Sequence, residues 1–400
     1  MKNNYRFTVY ALAFGAFFTA TSELVVSGIL NIIAADLRIS LATAGLLITA
    51  YSAAFAIGTP IIVSLTSRVE RRKVLAAALV LFIIGSFASS ASTSIEMLML
   101  SRIVLGISSG VYLVIAFGAA ARIVPAEKLG SAIGTIVLGF SSAMILGVPI
   151  GIAVAERYSW QAIFLLLGIV SIVFAILLYR LLPEIEGDAP IPFRKQFKAL
   201  GNTVVISALV LTFFRESGNS VLFTYMSSFL QQILHFSISG VSAMMLVFGV
   251  VGAIASRIGG YVVDRWGAAR MIIAGIAVHI AALALLPVFT GTVIAGVLLL
   301  AVVVFGMFAV GPAIQSYFIQ QAPQSANLIL SLNTSVIHLG LAAGAGAGGA
   351  MLAGASTLRF HPWLAAVVLL IGLAAGLVGF SGRRRRNHVQ RRDVHAVPSE

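Results

Sequence analysis

Apolar stretches of about 20 to 30 residues recur along the chain with short polar breaks between them, at residues 7–33, 43–66, 74–93, 97–121, 130–155, 160–182, 203–231, 238–263, 271–291, 293–319, 327–355 and 362–381. At ~1.5 Å per residue each makes a helix of roughly 30 Å or more, enough to cross the hydrocarbon core of a bilayer. The pattern predicts an all-α polytopic membrane protein with twelve transmembrane helices. One long polar segment, Pro183 to Gly201, interrupts it, and its amphipathic part, Phe193 to Leu200, is expected to lie along the membrane surface. This segment divides the chain into a six-helix half at 1–182, a linker at 183–201, a second six-helix half at 202–381 and a basic tail at 382–400.

Composition supports the pattern. Of 400 residues 60% are hydrophobic and only 10% charged, with a mean hydropathy of +1.04. Soluble domains run near ~25% charged, so little of this chain is expected outside the membrane. A net charge of +13 would suggest nucleic acid, but the basic residues sit at helix ends and in the tail, not on a folded basic face. No nucleic-acid partner is expected. The absence of cysteine excludes disulfides and thiolate metal sites, and neither a metal nor a cofactor is expected. The first apolar stretch is too long, and too polar near its middle, for a cleaved signal peptide.

The charges change the picture by orienting it. Arg68, Arg71, Arg72 and Lys73 fall between spans 2 and 3, Arg122 and Lys128 between 4 and 5, Arg180, Arg194, Lys195 and Lys198 around the linker, and Arg265 and Arg270 between 8 and 9. The tail carries Arg383 to Arg386, Arg391 and Arg392, whereas loops of the other parity hold at most one arginine each. By the positive-inside rule both termini are cytoplasmic, and the tail is expected to meet anionic lipid.

Two halves invite a search for a repeat. VSLTSRVERRKVL (Val63 to Leu75) follows span 2, and GYVVDRWGAARMI (Gly260 to Ile272) follows span 8, six spans later. The second copy matches G-x-x-x-D-R-x-G-x-x-R through Gly260, Asp264, Arg265, Gly267 and Arg270. In the first copy Arg68 and Arg71 are kept, while Ser67 stands for the usual Asp and Glu70 for the usual Gly. Twelve spans in two parallel halves with this loop repeated resemble the major facilitator superfamily. Arg102, Gly106 and Gly110 match its helix 4 signature, and Gly147, Pro149 and Gly151 its helix 5 antiporter signature in reduced form. ATSELVVSGIL, TSRVERRK, GFSSAMILGVPIGI and QAPQSANLILSLNTSVIHLG resemble the drug:proton antiporter group, in its sugar and purine efflux branch. IPFRKQFKALGN and QSYFIQQAP are most similar to the bacterial purine-base and ribonucleoside efflux pumps; Arg215 and Glu216 depart from that pattern.

The candidate chemistry lies in the few polar groups inside the spans. Glu23, near the middle of span 1 beside Thr19, Thr21, Ser22 and Ser27, costs on the order of 3 kcal/mol or more unless it meets a partner, a cavity or water. Hydrocarbon favours a neutral carboxyl and water or a cation the charged one, so this group is suited to carry a proton; a permanent structural ion pair is the plainer reading. Arg102 would bias a nearby carboxyl, or simply snorkel from its helix end. Arg215 and Glu216 are adjacent in span 7 and point about 100° apart on a helix; at least one should line the cavity, unless they serve an interhelical ion pair such as Arg215 with Glu23. Asn219, Tyr225, Gln315, Asn333 and His338 complete the expected substrate-binding set, against the alternative that they only hydrogen-bond or pack between helices. Gly340, Gly344 and Gly348, at every fourth position, read as packing devices, and GAGAGG within the same span is no dinucleotide loop because no strand precedes it. Gly147, Pro149 and Gly151 permit bending at a rocking contact, and the Asp264 loop is expected to form an inner gate.

The resemblance implies a bacterial inner-membrane secondary transporter, acting as a monomer by alternating access. Its partners would be protons and a small planar polar solute, foremost a purine base or ribonucleoside, then drugs and sugars. No Walker A sequence points to ATP hydrolysis, and no H-E-x-x-H or similar set among six histidines points to an intramembrane enzyme. A channel suits the two-half repeat and gate loops less well.

Overall fold

The computed structural model describes residues 4–125, 128–187, 203–321, 326–355 and 357–395. Along them run α1 (Asn4–Asp36), α2 (Leu41–Leu65), α3 (Arg71–Ser90), α4 (Ile95–Ile123), α5, α6 (Trp160–Leu181), α7, α8 (Ile238–Trp266), α9 (Ala268–Phe289), α10 (Val293–Gln321), α11 (Ala326–Ala355) and α12 (His361–His395). Two of the twelve are interrupted: α5 consists of Leu129–Ser142, a π-turn at Ala143–Gly147 and Val148–Arg157, and α7 of Thr203–Phe223 and Met226–Gln232. Eleven helices among the described residues are long and apolar enough to cross a membrane; α7, broken and charged, is not one of them.

Local sequence explains the boundaries. Ser40, Ser94, Ser159 and Ser237 cap α2, α4, α6 and α8, each hydroxyl accepting the amide three residues on, at 3.0, 3.4, 3.2 and 3.1 Å. All four lie on the face opposite the basic loops. Gly267, at φ +82°, turns the chain between α8 and α9, a conformation an L side chain rarely adopts. Pro149 lacks the N–H that would reach Ile145, and its ring would collide with that carbonyl, so the helix widens into a π-turn just before it.

Small residues set the packing. A Cβ on Gly106 would meet the Tyr51 backbone, so α4 lies directly on α2. Gly340, Gly344 and Gly348 face backbone of α7 at Phe213, Ser217 and Val221, as their spacing predicts. The two halves meet mainly away from the basic loops. There Ser227 Oγ donates to the Ser27 carbonyl at 2.6 Å, Ser228 Oγ to Asn31 Oδ1 at 2.7 Å, and Ser242 Oγ to the Pro149 carbonyl at 3.1 Å.

Two expectations change, and one falls outside the described residues. The helix of span 12 does not stop at 381 but continues through the arginine run to His395, since nothing after Gly382 breaks it. The amphipathic segment Phe193 to Leu200, with Arg194, Lys195 and Lys198, lies outside the described residues. Among the described residues no hydrogen bond or ion pair joins the Asp264 loop to the first half. Asp264 is exposed and makes no hydrogen bond or ion pair among the described residues, Arg265 lies over the Tyr261 ring at 4.6 Å, and Arg270 is also exposed. In the first half Arg68 is exposed, and the Arg71 amide donates to the Ile185 carbonyl at 2.8 Å, tying this loop to the start of the linker.

Candidate functional site

Glu23 lies near mid-depth on α1, 9% exposed, where α1, α2, α4 and α11 converge. Arg102 of α4 reaches the residue beside it: the guanidinium is fully buried, donates from Nη1 to the Ser22 carbonyl at 2.8 Å, and sits 4.3 Å from the centre of the Tyr51 ring. Glu23, Arg102 and Tyr51 interact electrostatically. Arg102 is therefore not a snorkelling helix-end residue. A guanidinium stays charged at any relevant pH, and buried over an aromatic ring it supplies a fixed positive field near the carboxyl. Among the described residues Arg102 Nε and Nη2, Glu23 Oε2 and His338 Nε2 make no hydrogen bond.

From the second half, His338 Nε2 approaches Glu23 Oε1 to 3.5 Å. His338 Nδ1 is 3.0 Å from the Thr334 carbonyl, and its ring stacks on Phe55 with centroids 3.5 Å apart and an interplanar angle of 5°. Thus one carboxyl, one imidazole and one guanidinium form a single buried cluster that spans both halves.

The alternative for α7, a pairing of Arg215 with Glu23, is not formed. Arg215 Nη1 bonds instead to the neighbouring Glu216 Oε1, and Nη2 to the Met307 carbonyl of α10. Asn219 Nδ2 donates to Glu216 Oε2 at 3.1 Å. Flexible side chains overcome the 100° offset of adjacent positions, and the pair neutralises itself within the second half. His279 of α9 lies near Arg215, and with Asn219, Phe223 and Met307 it lines a narrow void.

The remaining residues are not gathered into one site. Tyr225 sits at the break in α7, fully buried, its hydroxyl donating to the Ala345 carbonyl at 3.0 Å. It clamps α11. Among the described residues Gln315, which is exposed, makes no hydrogen bond, and the buried Asn333 has no partner for Oδ1. Gly147 and Gly151 let α5 lie on Thr21 and Val25 of α1, while Pro149 meets α8. Gly260 has open space where a side chain would stand. Sequence reasoning missed Tyr51, Phe55 and His279, which carry no local signal in apolar spans; only the folded arrangement places their rings against charge.

Comparisons agree with this architecture. The Major Facilitator Superfamily model matches residues 12–345 and 209–397. An uncharacterised MFS-type transporter of Bacillus subtilis, YbcL, is 33% identical over 386 residues, covering 96% of this chain and 98% of its own. The inner membrane transport protein YdhP of Escherichia coli K12 is 32% identical over 387 residues, covering 96% and 98%. A probable sugar efflux transporter of Mannheimia succiniciproducens is 27% identical over 341 residues, 85% of each chain. Among solved structures, an inward-facing bacterial homologue of the human lysosomal transporter Spinster superposes with a TM-score of 0.76 at 16% identity, covering 95% of this chain and 97% of that one. The D-xylose–proton symporter superposes at 0.74 with 18% identity, covering 93% and 95%. The motifs, the two-half bundle and these likenesses converge: the chain belongs to the Major Facilitator Superfamily and is a multi-pass membrane transport protein.

Proposed function

We propose that this transporter is a proton-coupled exporter working by alternating access, with the basic loops and both termini in the bacterial cytoplasm and the tail on anionic lipid. The observation that carries the reading is the buried cluster of Glu23, Arg102 and His338 where the two halves meet. A carboxyl flanked by a permanent cation and a titratable ring, and buried in a bundle that opens alternately to two sides, is suited to take a proton on one side and yield it on the other. The halves join away from the basic loops, as expected for the state open to the cytoplasm. Gating would pass to the Asp264 loop when the bundle rocks about the contact of α5 with α8.

The substrate class is a small planar polar solute, a purine base or ribonucleoside, on the resemblance of the linker and of the end of α10 to that branch. Arg215, Glu216 and Asn219 would contribute to its recognition from α7. Sugar efflux is the second reading, favoured by the likeness to the Mannheimia protein. The test uses purified protein in liposomes with an internal pH dye and an imposed gradient, given hypoxanthine, adenosine, inosine, chloramphenicol and arabinose in turn. Proton movement with a purine or nucleoside supports the proposal. Movement with arabinose or chloramphenicol alone reassigns the substrate, and movement with none of the five removes the proposed substrate class.

A further inference from the structure

We infer that the transported proton is held between the halves, shared by Glu23 Oε1 of α1 and His338 Nε2 of α11, so that the proton site exists only while these helices are together. The inference rests on the proton-coupled reading above and deepens it. Its starting point is the tautomer. A backbone carbonyl only accepts, so the 3.0 Å contact with the Thr334 carbonyl requires His338 Nδ1 to carry a hydrogen. In the neutral ring Nε2 is then a bare lone pair, buried without a hydrogen-bond partner and 3.5 Å from a carboxyl oxygen. With no proton between them, two acceptors face each other inside a buried cluster. One proton converts this contact into an O–H···N or O⁻···H–N⁺ bond as the atoms close up. A second proton, at lower pH, leaves Nε2–H donating to the carboxyl carbonyl, so the link still holds.

The surroundings fit a site built for one proton. Phe55 stacks face-on against the imidazole, with centroids 3.5 Å apart, and fixes the plane of the ring. The other charged and titratable groups facing the pair are Tyr51 from α2, Arg102 from α4 and, from α7, the Arg215–Glu216 couple, which packs beside Gly340. Arg102 stabilises the carboxylate left when the proton departs, and the α7 couple is internally neutral. Closure and protonation therefore have a common cause. Proton binding joins α1 and α2 to α11 and seals the face opposite the basic loops. Proton release to the open side, as Nε2–H or O–H gives its proton to water, breaks the joint and lets that face open.

The chain has no cysteine, so Thr93→Cys and Thr292→Cys, in exposed loops of opposite halves on the sealed face, give one spin-labelled pair. Double electron–electron resonance on the full-length protein is expected to show the short distance at low pH and a growing long-distance population as pH rises. Glu23→Gln, whose amide N–H donates permanently to Nε2, should keep the short distance at every pH. His338→Leu should show the long population at every pH. Should that variant misfold by size exclusion and circular dichroism, His338→Gln, able to donate or accept, should behave like Glu23→Gln. A wild-type distance that ignores pH, or a pH transition retained in Glu23→Gln or His338→Gln, overturns the shared proton. If solute-driven proton movement in liposomes still needs Glu23 while the distances ignore pH, the exporter reading stands and this inference alone fails.

Discussion

Replacing Gly344 by alanine places a methyl between α11 and α7, where a Cβ would lie 2.8 Å from the Ser217 carbonyl carbon and 2.8 Å from Ser220 Cβ. Carbon atoms pack at about 3.5–4.0 Å and the Ser217 carbonyl oxygen lies nearer still, so the helices must separate by on the order of 1 Å, which forfeits about half of each contact well. Across some tens of atom pairs at ~0.1–0.2 kcal/mol each, the loss is on the order of 2 kcal/mol. Two hydrogen bonds from α7 to α11, Ser220 Oγ to the Leu341 carbonyl at 2.8 Å and Tyr225 to the Ala345 carbonyl at 3.0 Å, stretch out of range. Such bonds are worth roughly 0.6 kcal/mol each in membrane bundles. Against this stands the helix preference of alanine over glycine, ~1 kcal/mol. The net effect is a destabilisation of about 2 kcal/mol. Gly354, with nothing within 4 Å of its Cβ position, should gain from the same change, and Gly346, whose nearest atom is Thr49 Oγ1 at 3.7 Å, should be near neutral. Thermal unfolding of the purified protein in detergent separates the three: Gly344→Ala below wild type, Gly346→Ala close to it, Gly354→Ala at or above it. Equal midpoints for Gly344→Ala and Gly354→Ala would refute the close approach of α7 and α11.

The other consequences are independent of that interface. Removing one member of the buried Arg215–Glu216 couple strands a charge, so Arg215→Met and Glu216→Gln should each cost ~3–5 kcal/mol while the double variant costs less than either; a double-mutant cycle by thermal unfolding measures the coupling. Arg102→Leu removes a charged hydrogen bond and a desolvated cation–π contact, for a loss of roughly 3 kcal/mol or more, and should abolish proton-linked transport; Arg102→Lys, without the planar fork, should not restore it. Pro149→Ala supplies the missing N–H and should convert the π-turn at Ala143–Gly147 to regular helix, turning α5 relative to α8 and slowing transport more than it lowers stability, as transport rate and unfolding midpoint together report. Ser237→Ala should cost ~1 kcal/mol through loss of the cap on α8, without effect on coupling.

The membrane fold was legible because each level of the sequence agreed: span length, loop charge and the four-residue glycine period all describe helices packed in lipid. The interruptions were less so. Pro149 announced a bend in α5, but the π-turn comes from its clash with one particular carbonyl, and the break in α7 at Thr224–Tyr225 has no glycine or proline to mark it. Glu23 stood out as a carboxyl where leucine would serve an anchor. Its pairing with His338 did not, because the two lie more than 300 positions apart and a lone histidine in an apolar span also reads as packing. Arg215 and Glu216 read as cavity-lining charges or, failing that, as an interhelical pair; the shorter solution, bonding to each other, was not legible in the sequence. The closed gate expected at Asp264 belongs to a contact this conformation does not make, so no reading of the loop alone could have placed it.

The measurement that bears most directly on the central claim is proton flux in liposomes with the solute that proves active in the panel, comparing wild type with Glu23→Gln at matched reconstitution. The account predicts solute-dependent proton movement in wild type and its complete loss in Glu23→Gln. Undiminished proton movement in Glu23→Gln would contradict it and leave Glu23 a structural carboxyl between Arg102 and His338.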